Sequence, residues 1–584
     1  MQIGRRATLT AVLCGLLLVG AVTNLDAAPY VVFPHNDSGM HCMDNDFSVW
    51  AILPPGNFLK AQVVKTGDHP QILTNVRTRV TYRAVADPTG SINTTSIGKT
   101  NFWTYVTRLY GFVLAPDMGF LGQKMPGAAN ARQPFLRFNP SPKEFVAGSI
   151  PITQLDNERH TNPYPLFLVE AFSGNTLLAG NTAVPNVAVE MHCDRCHATG
   201  EVAATDRGVT WSTNPNLNLQ MRENVLKLHD SNEGTSLFVS RPVVCADCHY
   251  SAATDILIHG SVTSPLRNSK TLSTAMHLKH GAPSSNPPVG GNGIAACYQC
   301  HPGQNTQCYR DPMFASNIAC QSCHGGLQAL SGVFPLKSTG QPRRPWFDLP
   351  QCQSCHTGDA RNHLGDSIIL RQAYDPGDPS ATPRLATNRR FAENPGKNFK
   401  ESQRHHGLSC ETCHGSPHAI WQTNQANDNL QAIRTQGHSG QIVECRVCHL
   451  DTLPATIYGP HGIHNVNSAT WIEGHPGFFE SRPNRCKSCH GLMLEGTAIS
   501  RAQADRTFSV EGTTVTIPKG GPVSCSLCHE NPLMGGESTG RTGRGGESTG
   551  ETGRGGESTG RTGMGRETTG RTGMGGETTG NTRR

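Results

Sequence analysis

The sequence predicts a loop-rich domain of short helices, packed around bound groups rather than an ordinary apolar core, preceded by a small β-sandwich-like domain. Three observations predict it. Gly and Pro make up 102 of 584 residues and aromatics only 6%, a composition that builds a large conventional core with difficulty. The chain holds 21 cysteines, too many for an ordinary cytosolic enzyme and suggestive of a disulfide, metal or cofactor scaffold. Period-two alternation marks strands within residues 29–190.

Residues 1–28 read as a secretory signal peptide. Arg5 and Arg6 form a positive start, Val12 to Val22 a short apolar run, and Ala27 and Ala28 a small-residue cleavage region. The run is shorter than the roughly 20 apolar residues a membrane span needs. Cys14 leaves with it, and no later segment is long and apolar enough to span a bilayer.

Residues 29–190 form the β-rich domain. Val76, Val80, Tyr82, Ala84 and Ala86 alternate with Arg77, Arg79, Thr81 and Arg83, the pattern of a half-buried strand. Leu166 to Phe172, the turn Ser173-Gly174-Asn175 and Thr176 to Ala179 read as a hairpin. The expected role is to cap the rest of the molecule, with docking of a partner as the alternative.

Residues 191–530 hold the chemistry, with a subdivision near 375–400. Nine Cys-x-x-Cys pairs are each followed at once by His. They are Cys193-Cys196-His197, Cys245-Cys248-His249, Cys297-Cys300-His301, Cys320-Cys323-His324, Cys352-Cys355-His356, Cys410-Cys413-His414, Cys445-Cys448-His449, Cys486-Cys489-His490 and Cys525-Cys528-His529. These are sites 1 to 9, in chain order. A zinc ribbon needs paired Cys-x-x-Cys but no His directly after them. A thioredoxin-like redox site needs one motif, not nine. Cys-x-x-Cys-His reads as covalent haem c attachment. Two thiols three positions apart lie on one side of a helical turn and can add to the two vinyl groups of one haem. The next residue points under the ring as the proximal iron ligand.

A six-coordinate electron carrier needs a second ligand per iron. Thirteen further histidines lie within or beside this segment: His192, His229, His259, His277, His280, His363, His405, His406, His418, His438, His461, His464 and His475. They are the distal candidates. His418 follows His414 by four positions and shares its helix face, so it serves a neighbouring haem. The same logic applies to His192 beside Cys193. The close pairs His277/His280, His405/His406 and His461/His464 each serve two haems, or hold one ligand and one supporting donor. Spacing alone does not pair distal ligands with haems. First cysteines recur every 23 to 58 residues. Links that short cannot each enclose a globular pocket, so the haems contact one another and the chain wraps a haem stack.

This pattern resembles the multihaem c-type cytochromes of metal- and sulfur-respiring bacteria, here with nine motifs over 193–529. The resemblance implies a multihaem cytochrome c fold and haem-to-haem electron transfer in anaerobic or extracellular respiration. It implies a periplasmic, outer-membrane-surface or extracellular location. It also implies partners among other redox proteins: cytochromes, quinol-linked donors or extracellular acceptors. Some members polymerise, so a homo-oligomer or filament is among the expectations. The alternative is an oxidoreductase in which one haem is five-coordinate and acts on a small nitrogen or sulfur oxyanion. No motif has Lys in place of the proximal His, and the expected role is carriage rather than catalysis.

Three features remain. Cys42 and Cys308 are the two mature cysteines outside the motifs, and an even remainder in an oxidising compartment suggests a disulfide. Residues 531–584 carry a Gly/Ser/Thr/Glu/Arg decapeptide repeat with almost nothing apolar, expected to be disordered. The formal charge of +6 falls to +5 without Arg5, Arg6 and Asp26, and nine haems with their propionates take it to roughly −4. The basic composition is therefore no argument for nucleic acid as a partner.

Overall fold

The computed structural model describes residues 28–205, 207–262, 270–281, 294–359, 370–450, 453–466, 468–510 and 512–529. Nearly all of the expected signal segment, His363 and the repeat tail lie outside the described residues.

Alternating β-branched and aromatic residues make the first part of the chain an antiparallel β structure. Its strands are β1 (Tyr30–Asn36), β2 (Leu59–Lys65), β3 (Gln71–Ile72), β4 (Arg79–Val85), β5 (Gln133–Pro134), β6 (Arg137–Pro140), β7 (Lys143–Ala147), β8 (Leu166–Ser173) and β9 (Thr176–Ala183). One sheet runs β1-β2-β7-β6, with β3 on the edge of β2, and the other runs β9-β8-β4-β5. The inward residues of both sheets share one apolar core. Val32, Leu59, Ala61 and Val63 come from the first sheet, and Val80, Tyr82, Ala84, Phe167 and Val169 from the second. Tyr82 stacks on Phe167 with ring centres 5.5 Å apart and meets Phe135 edge-on at 5.7 Å. Helix α1 (Phe102–Tyr110) adds Phe102, Val106 and Leu109, one face at helical spacing.

The alternation predicted a strand from Val76, but pairing begins at Arg79. Val76 sits in a turn and is 82% exposed. The predicted hairpin is β8–β9, closed through Gly174 at φ +57°, a value that favours Gly in a two-residue turn.

From residue 190 onward the chain runs mainly as loops and short helices. Helix α2 (Leu217–Glu233) starts where the Asn216 side chain accepts from the amides of Asn218 and Leu219, and stops at left-handed Gly234. Helices α3 (Leu272–Gly281), α4 (Ala426–Gln436) and α5 (Ala469–Ser481) follow. No described helix is long and apolar enough to cross a membrane.

The β layer lies along the Cys-x-x-Cys-His segment rather than only preceding it. Gln62 accepts from the Ser409 amide at 2.9 Å and the Thr412 hydroxyl at 2.6 Å. Lys60 donates to the Lys400 carbonyl at 2.8 Å. A Cβ at Gly39, φ +70°, would fall 1.9 Å from the Pro417 carbonyl oxygen, so only Gly fits there. Beside it, fully buried Arg310 donates twice to Asp428, at 2.6 and 3.1 Å, and to the Gly39 carbonyl at 2.8 Å. Arg222 makes a second buried tie, 4.0 Å over the Trp50 ring and bonded to the Trp50 carbonyl at 3.0 Å.

Breaking a buried ion pair leaves a charge without compensation and costs roughly 3–5 kcal/mol. Arg310→Leu, which strands the Asp428 carboxylate, is expected to lower stability by that order, read as a fall in the urea midpoint. An unchanged midpoint would contradict the assigned role of the pair.

Candidate haem-binding sites

Each motif folds as one tight turn. In six of them the His amide donates to the carbonyl of the first Cys four residues back: His197, His249, His301, His356, His449 and His529, at 2.7–3.0 Å. At sites 4, 6 and 8 the motif lies in the helices Cys320–His324, Cys410–His414 and Pro483–His490. This local geometry gathers both thiols and sets the imidazole just beyond them.

Opposite eight of the nine motif histidines stands a second imidazole. Ring centres are 6.3 Å apart for His197–His280, His229–His249, His277–His301 and His464–His490. They are 6.0 Å apart for His405–His449 and His414–His461, 5.9 Å for His324–His418 and 5.8 Å for His475–His529. Direct ring stacking is much closer, as His464 on Trp471 at 3.9 Å shows. Two imidazole nitrogens bound on opposite sides of one metal at about 2.0–2.1 Å are about 4 Å apart, which puts the ring centres about 6.3 Å apart. The observed separations of 5.8–6.3 Å therefore fit an iron, with its ring, between the members of each pair.

Hydrogen bonding and burial prepare the rings as ligands. Nδ1 contacts a backbone carbonyl in His249 (Lys270, 3.1 Å), His277 (Ser273, 2.9 Å), His280 (Met276, 2.7 Å), His461 (Arg390, 2.6 Å), His475 (Ile472, 2.8 Å) and His490 (Val523, 2.9 Å). A carbonyl only accepts, so Nδ1 carries the proton, and in the neutral ring Nε2 keeps a lone pair of the kind a metal binds. Burial, and then the charge of the facing ring, lowers His197 and His277 to about 4, and His324, His414 and His464 to about 3. Burial and then Arg310 lower His418 to about 4. These rings are neutral near pH 7, the form that binds metal.

The other distal candidates stand elsewhere. His192 bonds Glu190 at 2.9 Å, and that carboxylate also accepts the amides of Gln304 and Thr306 at 2.8 and 2.7 Å. His259 bonds Asp255 at 2.6 Å and His438 bonds Glu444 at 3.1 Å. His406 packs against His405, 5.6 Å between ring centres. At site 5, the Phe391 ring lies 6.1 Å from His356, and among the described residues no second imidazole comes as close to His356 as in the eight pairs.

Cys42 and Cys308 are both half-buried free cysteines. Burial first, then the neighbouring Cys308, pushes the Cys42 thiol far above its ordinary value. Burial raises Cys308 to about 11.

Sequence reasoning missed three contributors. Trp471 stacks on His464 and lies 6.0 Å from His475. Phe391 fills the space between His356 and His461. Glu411, inside the site 6 motif, is fully buried, 3.2 Å from His35 and 3.4 Å from Lys60. Burial lowers Lys60, yet Glu411 and Glu144 overcome it and hold the ammonium above its ordinary value. Trp471 alone left a signal, as an aromatic between two histidines in an aromatic-poor chain.

No family model, curated protein or solved structure matches this chain.

Next to site 7, Glu444 bonds His438 and Arg506. Burial acts upward on this carboxyl, but His438 and Arg506 hold it down from 4.5 to about 2. A depressed carboxylate stabilises the fold above its unfolded value, and the contribution is lost as pH falls through the folded value. Glu444→Gln is expected to cost roughly 2–3 kcal/mol at pH 7. The difference from the parent should shrink towards nothing near pH 2 in denaturant titrations. A constant difference across that range would contradict this charge assignment.

Proposed function

We propose that this chain is an exported c-type cytochrome that carries electrons over nine covalently attached haems, most of them held between two histidines. The observation that carries this reading is the set of eight facing imidazole pairs at 5.8–6.3 Å, each with one member in a Cys-x-x-Cys-His motif. When bound, each haem supplies one reversible electron, at a potential tuned by axial ligands, hydrogen bonding and burial.

The chain's own residues account for the rest. Eighteen motif thiols tether the groups to tight turns. At the eight paired sites the two imidazoles would hold the haem iron between them and leave no position open there for a substrate, which favours carriage over catalysis. Carbonyl-fixed tautomers hold the ligands in one orientation. Cys42 and Cys308 are read as a disulfide tying the β layer to the segment between sites 3 and 4. The eight pairs close within one chain, so association of copies is not needed to complete them. Other redox proteins, in the periplasm or at the cell surface, are the partners this reading requires.

Site 5 favours a second reading. If the position facing His356 stays open, that haem takes a small ligand such as a nitrogen or sulfur oxyanion and the chain is an oxidoreductase.

Low-temperature EPR of the fully oxidised protein, with haem counted as the pyridine haemochrome, tests the two. About nine haems per chain with only low-spin signals is the result expected of a carrier. A stoichiometric high-spin signal that shifts on adding nitrite or sulfite would overturn it in favour of the enzyme.

A further inference from the structure

The contacts between the sites that the haem reading assigns do not form a single file. Resting on that reading, we infer that the ligand scaffold is branched, with site 6 as the junction of three arms formed by sites 1 to 5, by site 7, and by sites 8 and 9.

The first arm is traced by shared elements. Helix α2 carries His229, which faces site 2, while its Asn224 side chain donates to the His197 carbonyl of site 1 at 2.9 Å. Helix α3 carries His280 and His277 three positions apart, facing sites 1 and 3. Arg195 of site 1 donates to Gln299 of site 3 at 2.9 Å. The short helices Ile294–Cys297 of site 3 and Cys320–His324 of site 4 pack against each other. The Ala373 amide donates to the Ser322 carbonyl of site 4 at 2.8 Å, and the Arg384 amide donates to Ala373. The Arg384 carbonyl in turn accepts from the Ser354 hydroxyl of site 5.

Three arms then meet at Cys410–His414. From site 5, the Phe391 ring lies 6.1 Å from His356 and 5.1 Å from His461, the imidazole that faces His414. Site 4 also adjoins the junction, since His418, facing His324, follows His414 by four residues. From site 7, the Ile442 amide donates to the Cys413 carbonyl at 2.8 Å, and His405, which faces His449, precedes Cys410 by five residues. From site 8, His464 faces His490 only three residues after His461. Arg390 locks that side. It donates to the His461 carbonyl at 3.3 Å and to the Cys489 sulfur at 3.5 Å, while its own carbonyl takes the Nδ1 proton of His461. Site 9 continues from site 8 through Trp471, stacked on His464 and 6.0 Å from His475.

Glu411 and Thr412, inside the junction motif, are 0% exposed. Each of the three ends has an exposed residue, Cys248 at site 2, Leu450 after site 7 and Leu527 in site 9, as does site 3 at Cys300. A linear carrier has two exchange ends, whereas this scaffold offers three, so one donor can serve two separate acceptors.

The test is to locate the irons in the haem-loaded full chain, by iron-edge anomalous diffraction or cryo-EM, with the haem count measured on the same sample. The expected result is that the iron on His414 has irons of the first arm (sites 4 and 5), of site 7 and of site 8 as neighbours, and that sites 2, 7 and 9 are ends with one neighbour each. Nine irons in an unbranched file with two ends would overturn the junction and leave the haem reading standing. Absence of covalent haem would instead overturn the reading beneath it.

Discussion

The arrangement depends on a spacing: two imidazoles must face each other about 6 Å apart, with a slot between them. One ring comes from a tight local turn. The other must arrive from the opposite side, and geometry forbids the same turn from supplying it. Every pair therefore draws a second segment of chain across the site. His418 crosses to His324, His280 to His197 and His461 to His414. These crossings explain how a Gly- and Pro-rich chain with few aromatics keeps a defined path with little regular secondary structure. On the proposed haem reading, the histidine pairs take the place that strand pairing and helix packing hold in the β layer.

Burial serves two ends at once. It removes water from the slots and holds the rings neutral, as the lowered values of His324, His414 and His464 reflect. Burial also favours pairing of the remaining polar atoms, which backbone carbonyls supply at six of the rings. Charges that cannot be neutral are paired instead, Arg310 with Asp428 and Lys60 with Glu411 and Glu144. Both clusters lie where the β layer meets the Cys-x-x-Cys-His segment, beside apolar clusters that also join the two parts, such as Val49 and Trp50 with Met221 and Leu226.

How much could be read from the residues alone follows the range of each interaction. The nine motifs are local chemistry and are plain in the sequence. The exclusion of His418 from the His414 site needed only helical spacing. The hairpin at Gly174 and the strand around Tyr82 carry local patterns, although Val76 continued the alternation beyond the point where pairing stops. Which distal ring meets which motif is a long-range fact, and nothing near His229 or His475 in the sequence announces it. His259 and His438 look like ligands by position, but Asp255 and Glu444 hold them. Those carboxylates lie four and six residues away, a clue that spacing offered and haem density obscured. The approach of β1 and β2 to residues 400–416 has no local signature, because it rests on Gln62, Lys60 and His35 finding partners more than three hundred residues on.

The most direct test of the central claim compares two histidines that sequence density ranks alike and the fold separates. His418→Ala and His438→Ala are prepared as haem-loaded full chains, and their high-spin ferric content is read by low-temperature EPR. The account predicts one additional high-spin haem per chain for His418→Ala and none for His438→Ala. An unchanged spectrum for His418→Ala, or a new high-spin haem in His438→Ala, would contradict the pairing on which the structure's function is built.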